Sequence, residues 1–353
     1  MMDDAISNRV VRSARRFSLA ISDRNLEGYS LLLGVGNSLK FLKRIPDKSV
    51  KLVVSSPPYN IGKSYETILA LDKYLRYYRI IAKEIYRILK EDGSLAWQVG
   101  NYVYNGEIFP LDIFFYEIFK GIKGFKLRNR IIWRFEHGLH SSSRLSGRYE
   151  TILWFTKSDS YTFNLDLIRI PQKYPGKTFY KGRKKGELSC NPLGKNPGDV
   201  WNILIDDWEE QIWDIPNVKF NHPEKTTHPA QFPVELVQRL VLALTDEGDL
   251  ILDPFGGVGS SAIAALSLGR KAISIDKNED YSHIALERAT ALIRGDLKIR
   301  NICNRIYEPS PSSALLRIPQ EWQELRKALY LKAINLLMVR NDQMITNLSL
   351  KRG

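Results

Sequence analysis

The amino-acid sequence predicts an α/β protein built on a doubly wound, mostly parallel β-sheet. Two apolar runs, 249–253 and 271–276, each end in an aspartate, and a glycine-rich turn and a helix of small residues separate them. A third apolar run, 51–54, ends in a turn rich in serine and proline. Apolar strands that alternate with helices are typical of parallel sheets, which bind ligands at the carboxyl ends of their strands. We therefore expect one binding edge, formed by the turns after these strands.

The first of these turns is Ser56-Pro57-Pro58-Tyr59. Two consecutive prolines neither continue a sheet ladder nor enter a helix interior, so the turn is rigid and extended. It holds a serine hydroxyl, backbone carbonyls and an aromatic ring at the binding edge. Two acceptors beside a flat ring suit a planar base that carries an amino group. A packed tyrosine in a proline loop is the alternative interpretation of the same residues.

The second turn contains three glycines, Gly256, Gly257 and Gly259, directly after the strand that ends in Asp253. Glycine allows the backbone to approach a ligand closely and to adopt positive φ. The following strand ends in Asp276, at the distance where nucleotide sites place an acid that accepts hydrogen bonds from ribose hydroxyls. The glycine turn alone is weak evidence, but the two turns and the spaced acid form a specific combination.

Composition narrows the class of protein. The chain has 353 residues, of which 44% are hydrophobic, enough for a large core and one or two domains. Its formal net charge of +13 favours a polyanionic partner. Cys190 and Cys303 offer neither a metal cluster nor a disulfide framework, which suits a cytoplasmic protein. No apolar run is long enough for a membrane span, and the N-terminus is too polar for a signal peptide.

Hydrophobic periodicity assigns the remaining elements in chain order. A basic arm, residues 1–28, is interpreted as frayed in preference to a specific contact. Residues 31–37 form a strand that ends in a glycine turn, and Ser38 caps a short helix that extends to Ile45. A polar loop, 60–66, then leads to the other elements. These are helices at 74–92, 109–119, 234–244, 260–268, 281–293 and 321–339, and strands at 94–99, 127–133 and 149–155.

Two stretches lack periodicity. The loop 137–148 is polar with basic tips and lies between two strands, so we expect a flap beside Ser56; its His137 and His140 lack a nearby third ligand for zinc. The insert 161–222 mixes cations with aromatic residues, a combination suited to phosphates and base edges, although a solvated charged loop has the same composition. The candidate DNA contacts in the two stretches are His140, Arg144, Arg148, Lys173, Lys177, Lys181, Arg183, Lys184 and Lys185.

Taken together, the motifs resemble those of the DNA amino-methyltransferases that use S-adenosylmethionine. Ser56-Pro57-Pro58-Tyr59 is similar to the catalytic motif of that family, and residues 253–259 are similar to its cofactor motif. The catalytic motif comes first, as in the circularly permuted beta group. The resemblance extends over about residues 29–295 and includes Arg148-Tyr149-Glu150 and His228-Pro229.

The resemblance implies the methyltransferase fold, S-adenosylmethionine as cofactor and a set of site residues. The catalytic residues are Ser56, Pro57, Pro58 and Tyr59. The family usually has an aspartate where Asn37 stands, near the cofactor adenine, and asparagine can still hydrogen-bond there. The cofactor-binding residues are Asn37, Asn60, His228, Pro229, Asp253, Pro254, Phe255, Gly256, Gly257, Gly259, Ser260 and Asp276.

The expected reaction is methyl transfer to an exocyclic amine of a base in double-stranded DNA. Ser56 and the Pro57 carbonyl would accept the two amine hydrogens, and the base would flip out of the duplex onto Tyr59. Family members with serine before Pro-Pro-Tyr mostly act on N4 of cytosine, whereas aspartate usually marks adenine N6, which stays the alternative. A non-catalytic DNA-binding protein and an RNA or protein methyltransferase are further alternatives. No Pro-Cys nucleophile for ring-carbon methylation is present.

The expected organisation has five segments: the arm 1–28, a catalytic half 29–160, the target-recognition insert 161–222, a cofactor-binding half 223–298, and a C-terminal linker and helix 299–353. The last helix is compatible with docking on the core or with a homodimer. A cognate restriction endonuclease is expected as a functional partner, and a membrane is not.

Overall fold

Strands and helices alternate along the chain and assemble into one large sheet with helices on both faces. The computed structural model describes residues 10–11, 31–62, 66–135, 140–170, 172, 174, 176–201, 218 and 222–300. The predicted linker and helix after residue 300, most of the N-terminal arm, His137 and Lys173 lie outside the described residues. Two residues of the arm form an edge strand.

The strands are β1 (Val10–Val11), β2 (Leu31–Val35), β3 (Val50–Ser55), β4 (Leu89–Val99), β5 (Asn101–Tyr104), β6 (Glu107–Pro110), β7 (Lys126–Arg134), β8 (Tyr149–Thr156), β9 (Val200–Trp201), β10 (Leu250–Asp253) and β11 (Lys271–Asp276). The helices are α1 (Ser38–Leu42), α2 (Leu71–Ile88), α3 (Leu111–Lys120), α4 (Val234–Leu244), α5 (Ser260–Ser267) and α6 (Glu279–Arg294).

The main sheet has nine strands in the order β1-β2-β11-β10-β3-β4-β8-β7-β9. Every neighbouring pair from β1 to β4 is parallel, and β8 is antiparallel to both β4 and β7. From β10 the chain turns towards β11 and β2, whereas from β3 it turns towards β4. The boundary between β10 and β3 is therefore the switch point at which open α/β sheets bind ligands. The predicted fold class is confirmed.

A hydrophobic layer covers each face of the sheet. Helices α1, α2 and α3 pack on one face in an aromatic-rich layer around Trp97 and Phe115. Helices α4, α5 and α6 pack on the other in a layer of aliphatic residues and alanine. Full burial of one large apolar side chain contributes roughly 1.5–3 kcal/mol, so these layers supply most of the driving force for folding. Among the described residues, no helix has both the length and the apolarity needed to cross a membrane.

Several boundaries differ from those that the sequence predicts. Helix α2 ends at Ile88, four residues before the predicted end at Asp92, because the chain already enters β4 at Leu89. Before α3 the chain forms the β5–β6 hairpin, which the sequence analysis missed. In the insert, the described residues form only a 3-10 turn, isolated bridges and β9, which pairs with β7.

A buried group of charged residues holds the start of α4 in place. Glu224 accepts hydrogen bonds from the Val234 backbone N–H at 2.9 Å and the Arg300 N–H at 3.2 Å. Burial raises the pKa of the Glu224 carboxyl. Glu235 pairs with Arg239 at 3.3 Å and with Arg300. The N-terminus of α4 therefore faces a carboxylate of the chain itself, which complements the partial positive charge of that helix end.

We expect Glu235→Ala to lower the free energy of unfolding by about 3–5 kcal/mol, because it leaves Arg239 and Arg300 buried without this carboxylate. Urea denaturation measures the loss. Glu117→Ala, at an exposed position on α3, is the matched control and should change stability by less than about 0.5 kcal/mol. Equal, small effects of the two substitutions would contradict a structural role for the Glu235 pairs.

Candidate active site

A cavity of about 1080 Å³ opens at the carboxyl ends of β2, β3 and β11 and at the glycine turn after β10. Pockets for small molecules and cofactors usually measure about 300–1,000 Å³, so this one can hold a cofactor and part of a second ligand. All four residues of the Ser56–Tyr59 turn line it. So do most of the predicted cofactor-binding residues, which are Asn37, Asn60, His228, Pro229, Phe255, Gly256, Gly257, Ser260 and Asp276.

Asp253 lies beneath this cavity and joins its two halves. Its carboxylate accepts hydrogen bonds from Ser55 Oγ at 2.6 Å, Ser261 Oγ at 2.5 Å and the Phe255 N–H at 3.0 Å. Ser55 ends β3 and Ser261 lies in the first turn of α5. Burial raises the pKa of the Asp253 carboxyl to about 6, although the three hydrogen bonds favour its charged form. Asp253 is therefore placed to support the site, and it does not line the cavity.

The Ser56–Tyr59 turn is held by hydrogen bonds to both sides of the site. Ser56 Oγ and Tyr59 OH are 3.0 Å apart, and Tyr59 OH donates to Glu150 Oε2 at 3.2 Å. Gln98 donates to the same Glu150 oxygen. On the opposite side, Tyr74 OH donates to the Pro58 carbonyl at 2.7 Å. The serine hydroxyl and the tyrosine ring are thus fixed in advance at the wall of the cavity.

Asn60 organises the loop that follows this turn. Its side chain donates to the Leu69 carbonyl at 2.8 Å and accepts from the Leu69 N–H at 2.7 Å. Glu66 accepts hydrogen bonds from the backbone N–H groups of Asn60 at 2.7 Å and Ile61 at 2.9 Å. The Asn60 amide thus closes the loop from 60 to 69, and the residue's predicted cofactor contact stays a prediction.

The glycine turn packs closely against its neighbours and leaves little room for side chains. A Cβ on Gly256 would lie 1.8 Å from Ser274 Oγ, and a Cβ on Gly257 would lie 3.3 Å from His228 Nε2. Asp276 accepts hydrogen bonds from the Gly257 N–H at 3.0 Å and the Asn278 N–H at 2.8 Å. The backbone of the turn is therefore pressed between neighbouring elements, with the Asp276 carboxylate beside it.

The contacts of Asn37 and Ser38 at the start of helix α1 differ from those that the sequence predicts. The predicted N-cap, Ser38, is wrong, because Ser38 Oγ donates instead to the Pro254 carbonyl at 2.5 Å. Asn37 is the N-cap, and its Oδ1 accepts from the Lys40 N–H at 3.2 Å. Tyr77 also hydrogen-bonds to Asn37, while burial raises the pKa of this tyrosine. Asn37 thus caps the helix and lines the cavity at once.

His228 lines the cavity beside the glycine turn. Its ring meets that of Tyr281 edge-on, with centroids 4.6 Å apart. Burial, assisted by the charge of Lys225, lowers the pKa of His228 to about 4, so the ring is neutral at neutral pH. His228 Nδ1 accepts from the Ala230 N–H at 3.2 Å, which leaves Nε2 directed towards Gly257.

The predicted DNA contacts fall into two groups. Arg144 and Arg148 line the cavity, and Arg148 Nη2 lies 3.2 Å from Nδ1 of His140. In the insert the cations are exposed around Tyr180 and outside the cavity lining; they are Lys177, Lys181, Arg183, Lys184 and Lys185. Across the residues that the structure describes, no cluster of histidine, cysteine or acidic side chains could hold a metal ion.

The sequence analysis missed several cavity residues: Glu66, Tyr74, Tyr77, Gln98 and Tyr281, together with the contact of Glu150 to Tyr59. The tyrosines of α2 have the spacing of core residues, and two of them, Tyr74 and Tyr78, are buried. The signal that could have identified these residues is their place in the chain, because they lie at or near the ends of strands and helices that meet at the binding edge of the sheet.

Comparison with known proteins defines the class. A solved structure of the putative DNA modification methylase TTHA0409 from Thermus thermophilus, in complex with S-adenosyl-L-methionine, is 27% identical, with a TM-score of 0.53 over 74% of this chain and 94% of that one. The cytosine-N4-specific PvuII DNA methyltransferase, 21% identical, has the same fold, with a TM-score of 0.55 over 76% of this chain and 92% of that one. The fold and the site define a DNA methyltransferase that depends on S-adenosylmethionine.

The chain belongs to the family of N6 and N4 DNA methylases, whose model matches residues 50–287. It is 47% identical to the type II methyltransferase M.BglII from Bacillus subtilis, over 71% of this chain and 67% of the relative. It is 31% identical to the DNA adenine methyltransferase YhdJ of Escherichia coli (strain K12), over 72% of this chain and 80% of the relative.

The described residues fit S-adenosylmethionine. The glycine turn presents bare backbone to the cavity, and the aromatic rings of Phe255, Tyr77 and Tyr281 stand around it. Asp276 offers carboxylate lone pairs beyond the two already used by backbone N–H groups, which suits ribose hydroxyls. The bound cofactor supplies a sulfonium methyl group for transfer.

We expect Asp276→Ala to weaken S-adenosylmethionine binding by about 1.5–3 kcal/mol, because charge-assisted hydrogen bonds to hydroxyls are removed and the glycine turn loosens. Isothermal titration calorimetry measures the affinity. Asp280→Ala removes the same charge from an exposed position nearby on α6 and should change affinity less than about threefold. Unchanged affinity in Asp276→Ala would remove this residue from the cofactor site.

Proposed function

We propose that the protein methylates N4 of cytosine in double-stranded DNA as the modification enzyme of a restriction-modification system. The observation that carries the choice of base is that a serine, Ser56, stands before Pro-Pro-Tyr in the cavity wall, where the resembled family mostly has serine for cytosine N4 and aspartate for adenine N6. A relative that is 47% identical over 71% of this chain is named as a type II methyltransferase, which supports the modification role.

The proposed chemistry follows from the acceptors at the turn. The exocyclic amine of a base is a poor nucleophile because its lone pair is delocalised into the ring. Ser56 Oγ and the Pro57 carbonyl accept its two hydrogens, which localises the lone pair on nitrogen and directs it to the methyl group. The amine nitrogen would then bond to the methyl carbon as that carbon's bond to the cofactor sulfur breaks, leaving a neutral thioether, and the surplus proton on nitrogen would pass to water. Positioning and fixed dipoles supply most of the rate enhancement.

The hydrogen-bond chain through Glu150 sets the direction in which the Ser56 hydroxyl donates its proton. A carboxylate only accepts hydrogen bonds, so Tyr59 OH donates to Glu150, 3.2 Å away. The Tyr59 oxygen can then accept the Ser56 proton across 3.0 Å. The lone pairs of Ser56 Oγ are left for the amine of the base. Glu150 and Tyr59 would therefore act as positioning residues for Ser56.

Adenine N6 is the second candidate for the target atom. The relative YhdJ, named as a DNA adenine methyltransferase, is 31% identical over 72% of this chain. The acceptors at the turn suit either amine, and the two candidates predict different products.

The basic residues are proposed to bind the DNA. Arg144 and Arg148 stand at the mouth of the cavity, where phosphates beside a flipped base would lie. The exposed cations of the insert lie close in sequence to Tyr180, which is 89% exposed, and offer a second contact region. A cognate restriction endonuclease would be the functional partner of such an enzyme.

Product analysis tests the choice of base. DNA methylated by the purified protein with S-adenosylmethionine should yield N4-methylcytosine by mass spectrometry after digestion to nucleosides. N6-methyladenine alone would keep the reaction class and overturn the base.

We expect Ser56→Ala to lower kcat about 10–1000-fold, because one preorganised acceptor is removed. Cofactor affinity should be unchanged, since Asp276 and the glycine turn are intact. Tyr59→Phe keeps the ring but removes the hydroxyl that orients Ser56, so its loss of activity should be milder than that of Tyr59→Ala. Single-turnover kinetics on methylatable DNA separate these effects. Full activity of Ser56→Ala would exclude the serine from the reaction.

Simultaneous neutralisation of the four insert cations Lys181, Arg183, Lys184 and Lys185 should weaken DNA binding. The log–log salt dependence should flatten by about 0.9 for each phosphate that these side chains neutralise in the wild-type complex. The control neutralises four exposed cations outside the insert. Two directly follow helix α1 and two lie on helix α2: Lys43, Arg44, Lys73 and Lys83. Fluorescence anisotropy over a salt series measures both. If the two sets behave alike, the insert cations do not bind DNA.

A further inference from the structure

Leu145 is the most exposed large hydrophobic side chain among the described residues, with 94% of its surface accessible. A single exposed leucine is ordinary on a protein surface. What distinguishes Leu145 is its position, because it lines the mouth of the active-site cavity between Arg144 and Ser146. An apolar side chain therefore projects into solvent at the entrance through which a target base would have to pass.

The backbone of this loop is held in a defined shape. Ser146 Oγ accepts a hydrogen bond from the Ser141 N–H at 3.1 Å and closes the tip on which Leu145 stands. At the base of the loop, the Phe135 N–H donates to the Arg148 carbonyl at 2.9 Å. Arg148 Nη2 also lies 3.2 Å from His140 Nδ1. These contacts hold residues 140–148, on which Leu145 stands, beside the ends of β7 and β8.

The surroundings of Leu145 match the chemistry of a DNA duplex. Arg144 and Arg148 supply cations for backbone phosphates on either side of it. Three other exposed apolar residues line the cavity: Val103 and Ile108, which are cross-strand partners in the β5–β6 hairpin, and Tyr149, and they are only 40%, 44% and 44% exposed. Leu145 has a much larger exposed fraction than these residues, so it can enter another molecule without losing packing contacts within the protein.

We propose that Leu145 is a wedge that enters the duplex and fills the space left in the base stack when the target base rotates into the cavity. This inference rests on the proposed DNA methyltransferase function and adds to it the residue that stabilises the flipped state. Apolar side chains are known to insert between base steps, and a flipped base leaves an apolar gap between its neighbours. Insertion removes both the gap and the exposed leucine surface from water.

A wedge makes a contribution that depends on how firmly the target base is held. For a correctly paired target, the unstacked state must be stabilised against pairing and stacking. For a target opposite an abasic site, pairing is already absent, so the wedge contributes less to the stability of the flipped state. A residue that only contacts phosphate, or that only shapes the loop, would affect both substrates equally.

The test compares Leu145→Ala with the wild-type chain on two duplexes. Both carry the methylation site, mapped beforehand by sequencing DNA that the protein has modified. One duplex is fully paired, and the other has an abasic site opposite the target base. The control is Leu167→Ala, which shortens a leucine that is 56% exposed and outside the cavity lining. Thermal melting confirms that each variant is folded.

We expect Leu145→Ala to lower kcat/KM on the paired duplex by about 10- to 100-fold, and by less than about threefold on the abasic duplex. Leu145→Met should retain most of the activity, and Leu167→Ala should match the wild type. Equal activity of Leu145→Ala and wild type on the paired duplex would overturn the wedge, as would an equal loss of activity on both duplexes. If the wild-type chain methylates no DNA at all, the proposed function fails instead.

Discussion

The site depends on one buried carboxylate. Asp253 is 1% exposed and accepts hydrogen bonds from Ser55 at the end of β3, from Ser261 in the first turn of α5 and from the Phe255 backbone. These donors belong to the two segments that carry the catalytic turn and the glycine turn. A buried carboxylate is costly unless it is fully hydrogen-bonded, so the same interaction that satisfies Asp253 also fixes the distance between the two turns. Groups that must meet around one methyl group are thus positioned by a side chain that lies beneath the cavity.

Around this fixed point, the two halves of the site perform different tasks. The cofactor half is made of backbone, with glycines pressed against Ser274 and His228 and an acid beside them. The catalytic half is made of side chains whose hydrogen bonds run from Gln98 and Glu150 through Tyr59 to Ser56. Burial lowers the pKa of His228 to about 4, so this ring stays neutral at neutral pH. Substrate orientation is therefore the property most exposed to single substitutions in the catalytic half.

The sequence predicted the features of the site that depend on residues close together in the chain. The Ser56–Tyr59 turn and the glycine turn each lie within a few residues of a strand end, and rules for proline and glycine place them at the binding edge. The N-cap of α1 was assigned to the wrong residue because Asn37 and Ser38 are both good caps. The choice is made by the Pro254 carbonyl, 216 residues away, which engages Ser38. Glu150 likewise reaches Tyr59 across 91 residues of chain. Contacts of this kind depend on how strands align, and one sequence without its fold does not specify them.

The strand order has a consequence for how the chain is synthesised. Strands β2 and β3 emerge early from the ribosome, yet β10 and β11, from residues 250–276, lie between them in the finished sheet. Until that late segment is made, β2 and β3 cannot join one sheet, and each presents an open edge of backbone hydrogen-bonding groups. Such edges are templates for association with other chains, and pairing between strands distant in sequence is slow to form. Synthesis of residues 250–276 therefore removes two open strand edges at once, and the order of the strands ties completion of the sheet to the late part of the chain.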